Sequence, residues 1–140
     1  MNFAALKQGI VDKLNETFGT TKTYYTENVD TDFALGSFFI NSITMVNNEE
    51  TGTRALRDYP FDIVIFPASL TAPKAECENI FDILTDKLNY ISVDGGLYRG
   101  DEISSRYDDS QKAGHFFVTY SFFVMDENLV KDKMEKVEFL

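Results

Sequence analysis

The segment from His115 to Met125 most constrains what this chain can fold into. Phe116, Val118, Tyr120, Phe122 and Val124 share one face at period two, and Phe117 and Phe123 lie on the other. Side chains alternate across a strand, so this pattern predicts a β-strand that is apolar on both sides. Such a strand belongs in the middle of its sheet. It needs partner strands on both edges and a covering layer of other elements.

The partners are legible upstream. From Arg54 to Phe66 the residues Tyr59, Phe61, Ile63 and Ile65 share one face at period two. Pro60 has no N–H to give to a ladder, so an edge or a bulge is expected at that point. Gly36 to Val46 reads as a second strand whose alternation changes phase between Ile40 and Ile43, the sign of a bulge or twist. Asn47 to Gly52 is a turn cluster between the two, so together they predict a long β-hairpin. Thr20 to Thr26 has β character, with Tyr24 and Tyr25 among threonines. After the turn signal Asp94-Gly95-Gly96, Leu97–Arg99 and Ile103–Tyr107 read as two short strands around Gly100-Asp101.

The covering layer comes from two amphipathic stretches. Phe3, Leu6, Ile10, Leu14 and Phe18 recur at steps of three and four, and Gly19 stands where a helix stops. After Pro67–Pro73 a second helix of about 18 residues is expected, with Cys77, Ile80, Phe81, Leu84, Leu88 and Ile91 on one stripe. The order helix, strands, helix, strands predicts an α+β fold. Its sheet is mostly antiparallel, includes the long hairpin, and carries both helices on one face. Residues 1–125 read as one domain, and 126–140 as a charged C-terminal arm or short helix holding Leu129, Met134 and Val137.

A chain of 140 residues that is 44% hydrophobic is sized for one domain with one core. The formal charge of −10 repels phosphate backbones and anionic membrane surfaces, and leaves proteins as the expected partners. A single cysteine, Cys77, allows no internal disulfide and fits a reducing compartment. The N-terminus lacks the basic and apolar regions of a signal peptide, and no apolar run approaches the ~20 residues of a membrane span. A cytoplasmic location is the expectation.

The search for chemistry returns little. His115, the one histidine, starts a strand with no nucleophile motif nearby and reads as a solvent-facing residue. Cys77 lies on an apolar stripe and reads as a small core residue. One His and one Cys do not make a zinc site. Asn28-x-Asp30-x-Asp32 opens like a calcium loop, but Phe33 and Phe39 stand where that loop needs Gly and Glu. Asp108-Asp109 and Glu49-Glu50 read as solvated loop charge. Gly95-Gly96 and Gly100 lack the Lys-Ser/Thr of a phosphate loop. No catalytic, cofactor or metal site is expected, and the chain reads as an assembly subunit that binds other protein surfaces.

Several stretches, taken in order, carry a family resemblance. They are Thr26-Glu-Asn-Val29, Gly36-Ser-Phe-Phe-Ile40, Arg57-Asp-Tyr-Pro-Phe-Asp-Ile63 with Phe66-Pro67, Leu97-Tyr-Arg-Gly100, and His115-Phe-Phe-Val-Thr-Tyr-Ser-Phe-Phe123. Behind an amphipathic N-terminal helix, they resemble the bacteriophage tail terminator proteins of phages, prophages and phage-tail-like bacteriocins of Gram-positive bacteria. The resemblance runs to about residue 125 and rests on structural motifs. It implies a non-catalytic protein that acts as a hexameric ring. Such a ring caps the head-proximal end of the tail tube, stops its polymerisation, and offers the docking surface for the head. The implied partners are other copies of the chain, the tail tube protein, and a sheath or head-completion protein. The implied location is the host cytoplasm during assembly and then the tail of the particle. The alternatives are another head–tail connector or tail completion protein and, from a different class, a small ligand-binding domain or enzyme.

Two physical expectations accompany this. A closing ring is heterologous, so each subunit needs two complementary patches. Six copies at −10 each carry a formal charge of about −60, and acidic residues facing the lumen would let DNA pass by repulsion, without specific binding. The candidate contact residues are Glu49 and Glu50 at the hairpin tip, Arg54 and Arg57 on the hairpin, and Val137, Phe139 and Leu140 in the arm.

Overall fold

The computed structural model describes residues 1–28, 33–49 and 54–125. Helix α1 (Phe3–Phe18) starts where the Asn2 side chain accepts the Ala5 N–H at 2.9 Å, and ends at Gly19, which adopts φ 94°. Its stripe buries Leu6, Ile10 and Leu14 completely. Each side chain of that kind contributes roughly 1.5–3 kcal/mol when fully buried.

The β character expected over Thr20–Thr26 reduces to strand β1 (Tyr24–Tyr25), which runs parallel to strand β2 (Phe38–Ser42). The Tyr24 hydroxyl donates to the carbonyls of Leu14 and Gly19 and ties this strand to the end of α1.

The single strand expected over Gly36–Val46 is two strands. β2 ends at Ser42, and strand β3 (Val46–Glu49) begins after a break at residues 43–45. The phase change between Ile40 and Ile43 marks that break. Both strands pair antiparallel with strand β4 (Arg54–Ile65), in registers running from Phe38↔Ile65 to Ser42↔Phe61 and from Val46↔Asp58 to Glu49↔Ala55. The hairpin is therefore present, but Asn47–Glu49, expected in its turn, lie in its strand; residues 50–53 are outside the described set.

Pro60 is not at the sheet edge. β4 is central, and Pro60 sits opposite the break between β2 and β3. Its carbonyl accepts from Ile43 at 2.9 Å on that side. In an extended residue N–H and C=O point the same way, so the donor that proline lacks would face the gap.

Helix α2 (Pro73–Lys87) has 15 residues, shorter than the sequence pattern suggested. Ile91 belongs instead to strand β5 (Tyr90–Val93), which continues the apolar face after the helix ends. Asp94 and Gly95, with φ of 50° and 79°, turn β5 into strand β6 (Gly96–Asp108). The two short strands expected there are one strand of 13 residues, with a register shift between Asp101 and Ser104 where Glu102 takes φ 52°. Strand β7 (Ala113–Met125) pairs with β4 on one side and β6 on the other.

The sheet order is β1-β2-β4-β7-β6-β5, with β3 beside β4. Every pairing except β1–β2 is antiparallel. The fold is α+β, as the element pattern predicts. Both helices pack on one side of this curled sheet, against a core that includes Phe61, Ile63, Phe116, Val118 and Tyr120. Helix α1 touches β2 and β5, near the two ends of the sheet. It lies so close to β5 that a Cβ on Gly9 would stand 2.7 Å from Val93 Cγ2.

Candidate protein-interface surface

Alternation on β4, β6 and β7 turns every second residue away from the helices. On β7 those residues are His115, Phe117, Thr119, Ser121 and Phe123; on β4 they are Arg54, Leu56, Asp58, Pro60 and Asp62. No described element covers this second face of the sheet. Phe123 is 54% exposed and Leu97 of β6 is 69% exposed.

Two arginine–phenylalanine stacks organise the open face. The Arg54 guanidinium lies 4.7 Å from the Phe123 ring centroid, and that of Arg106 lies 5.9 Å from Phe117. Arg99 also points to this side and approaches Asp101 at 3.9 Å. Three of the four arginines in the chain (Arg54, Arg99 and Arg106) thus stand on one surface, in a protein of net charge −10. The carboxylates among them have neighbours. Asp58 accepts from the Ser121 hydroxyl at 2.6 Å, and Asp62 faces His115 Nδ1 at 2.8 Å.

His115 is therefore paired across the sheet, not simply solvent-facing. Nδ1 meets both Asp62 oxygens and Nε2 meets Gln111 Oε1 at 3.1 Å. Burial raises the Asp62 pKa, and the hydrogen bond and charge of His115 oppose that shift. Among the described residues no hydroxyl or thiol hydrogen-bonds the imidazole. Cys77 is fully buried, and burial first, then the charge of Glu76, pushes its thiol up to about 11. Asp108 acts as a turn cap: its Oδ1 accepts from Ser110 N and Oγ and from Gln111 N, which lowers its pKa. No cluster of His, Cys, Asp or Glu suited to a metal occurs among the described residues. No described helix is long and apolar enough to cross a membrane.

A second apolar surface lies near the start of α2. Phe66, Phe33 and Phe39 stack in sequence with centroids 4.5 and 5.1 Å apart. Phe33 and Phe66, with Leu35, Pro67 and Leu70, border a cavity of about 450 Å³. Leu70 is 82% exposed there.

Of the contact residues expected from sequence, Glu49, Arg54 and Arg57 are among the described residues. Arg54 is on the open face, whereas Arg57 points to the helix side and donates to Asn47 Oδ1 at 2.9 Å. Glu49 pairs with Ala55 in the hairpin. Glu50, Val137, Phe139 and Leu140 lie outside the described residues, as does Asp30-x-Asp32 of the calcium-like pattern. Phe117, Phe123, Leu97, Arg99 and Arg106 escaped sequence reasoning as a surface. The odd-numbered alternation of Phe117 and Phe123 on β7 was the available signal, but an apolar second face reads equally well as buried.

Comparison with known proteins adds the family. No curated protein matches the chain. A chain in a structure described as the virion of a native gene transfer agent particle is similar in fold, with a TM-score of 0.51 at 12% identity, covering 87% of this chain and 96% of that one. A second solved chain, at 13% identity over 86% of this chain and 89% of its own, has a TM-score of 0.41, too low to carry an argument. The family model for phage tail terminator proteins matches residues 5–132, nearly the whole sequence. The chain therefore belongs to the phage tail terminator protein family.

Proposed function

We propose that this structural tail protein caps the head-proximal end of a tail tube, ends its polymerisation and presents the surface to which a head docks. The family match over residues 5–132 carries this reading. The sheet is compatible with it. Among the described residues β3 pairs only with β4, and β6 beyond Gly100 only with β7, so each offers an outer edge to a neighbour. The face that no described element covers supplies a further surface. Edges and faces of different composition are what a heterologous, closing ring needs, and six copies are the ring size we infer from the family. The partners are then other copies of this chain, the tail tube protein, and a head-completion or sheath protein, met in the host cytoplasm and retained in the tail.

The test is tube length. Tube protein polymerised with increasing amounts of this protein should give progressively shorter tubes, each with one end bearing a ring in electron micrographs. Tubes of unchanged length, or the protein spread along their sides, overturn the capping role.

A further inference from the structure

An exposed leucine stands beside a cavity that would accept one. Leu70 lies in the loop between β4 and α2 and is 82% exposed. The loop is held by its own side chains. The Glu76 carboxylate, in the first turn of α2, accepts the N–H groups of Ala68 at 2.6 Å and Ser69 at 3.0 Å. The Ser69 hydroxyl oxygen accepts from Ala72 N at 3.0 Å. Leu70 is thus presented from a fixed backbone, so seating it against a partner costs little ordering entropy. Beside it, Phe33, Leu35, Phe66 and Pro67 border the cavity of about 450 Å³. An apolar cavity of about 150 Å³ already holds a benzene ring. We propose that this patch joins two copies of the chain about a two-fold axis, with Leu70 of each copy seated in the cavity of the other.

Charge and symmetry select this occupant. Two copies at −10 each repel, so a contact between them belongs where the surface carries least charge. The outer faces of the helices do not qualify: Asp12 and Glu16 on α1 and Glu78, Asp82 and Asp86 on α2 are exposed. The cavity border holds one charged residue, Lys112, and the Asp109 carboxylate lies 3.2 Å from its ammonium group. The patch is therefore close to neutral, and two copies meet there with little repulsion. Symmetry follows from the position of Leu70, which itself borders the cavity. A copy cannot give Leu70 to one neighbour and its cavity to another, because the two neighbours would occupy the same space. An isologous pair uses both at once. A closing ring needs two separate patches instead, so this contact is additional to a ring and holds whether or not the protein caps a tube.

The test is the mass of the full chain in solution against concentration, for the wild type and for Leu70→Asp. The substituted side chain is exposed, and matching thermal melts show that the variant folds. Each pair loses two seated leucines in the variant, so its dissociation constant should rise by at least about a hundredfold. At concentrations where the wild type is paired, the variant should have half its mass. Equal masses throughout, or a fall by a factor other than two, overturn the proposal. A second measurement reads the seating itself. Leu35→Cys and Leu70→Cys, mixed in equal amounts and oxidised, should give disulfide-linked pairs of one variant with the other, several-fold in excess of like pairs, while buried Cys77 takes no part. Linked pairs at the random ratio also overturn it.

Discussion

Tyr120 and Tyr107 should respond in opposite ways to the same edit. The Tyr120 side chain is fully buried, and its hydroxyl donates to the Leu88 carbonyl at 2.7 Å. Leu88 is the C-cap of α2, and the last carbonyls of a helix have no partner within it. Tyr120→Phe therefore deletes a donor and strands a buried acceptor, at a cost of about 1–3 kcal/mol. For a chain of this size that lowers Tm by roughly 3–10 °C. Tyr107 is the reverse case. Its ring is partly buried, but its hydroxyl oxygen is shut off from solvent with no hydrogen-bond partner among the described residues. Tyr107→Phe removes an unsatisfied group and breaks nothing, so the midpoint should hold or rise. Urea titration and thermal melts of both variants, with unchanged m values, make the comparison. If Tyr107→Phe loses as much stability as Tyr120→Phe, the hydrogen-bond reasoning is wrong for this core.

Three further outcomes are expected. Gly114→Ala places a Cβ 2.8 Å from Phe81 Cζ and 3.0 Å from Cys77 Sγ, and should cost about 1–3 kcal/mol in a urea titration, part of it recovered by adding Cys77→Ala. Cys77 should be inert to a thiol reagent in native protein at pH 8 and react at once in denaturant, since burial holds its pKa at about 11. Asp108 has a depressed folded pKa, so its contribution to stability is complete above its ordinary value of 3.8 and is lost as pH falls through the folded one. Asp108→Asn should therefore flatten the acid side of the stability profile below pH 3.8, measured by melts across that range.

The elements written in local periodicity were legible in the sequence. The stripe of Leu6, Ile10 and Leu14 and the alternation of Phe116, Val118 and Tyr120 fix which side faces the core, and the structure buries all six. The elements set by pairing were less so. Gly100-Asp101 reads as an interruption, yet β6 absorbs it as a register shift because β7 continues alongside. Pro60 reads as a sheet edge or a bulge, because nothing local shows that its neighbouring strand breaks opposite it. The surface was the least legible part. Asp62 and His115 are 53 positions apart, and Arg54 and Arg106 meet Phe123 and Phe117 only through strand order. A one-dimensional pattern can say that Phe117 faces away from Phe116, but not whether anything covers it.

The contact of α1 with β5 bears on how the chain comes off the ribosome. Leu6, Ile10 and Leu14 are made first, but part of the surface they bury against arrives with Ile91 and Val93. The strand pair at the centre joins Arg54 to Met125. Such distant pairings must close large loops before they gain anything, so they form slowly and late. Part of the apolar stripe of the N-terminal helix therefore has no partner until β5 has been synthesised. A subunit truncated before β7 lacks the strand that joins β4 to β6, so the two halves of its sheet have nothing to hold them together.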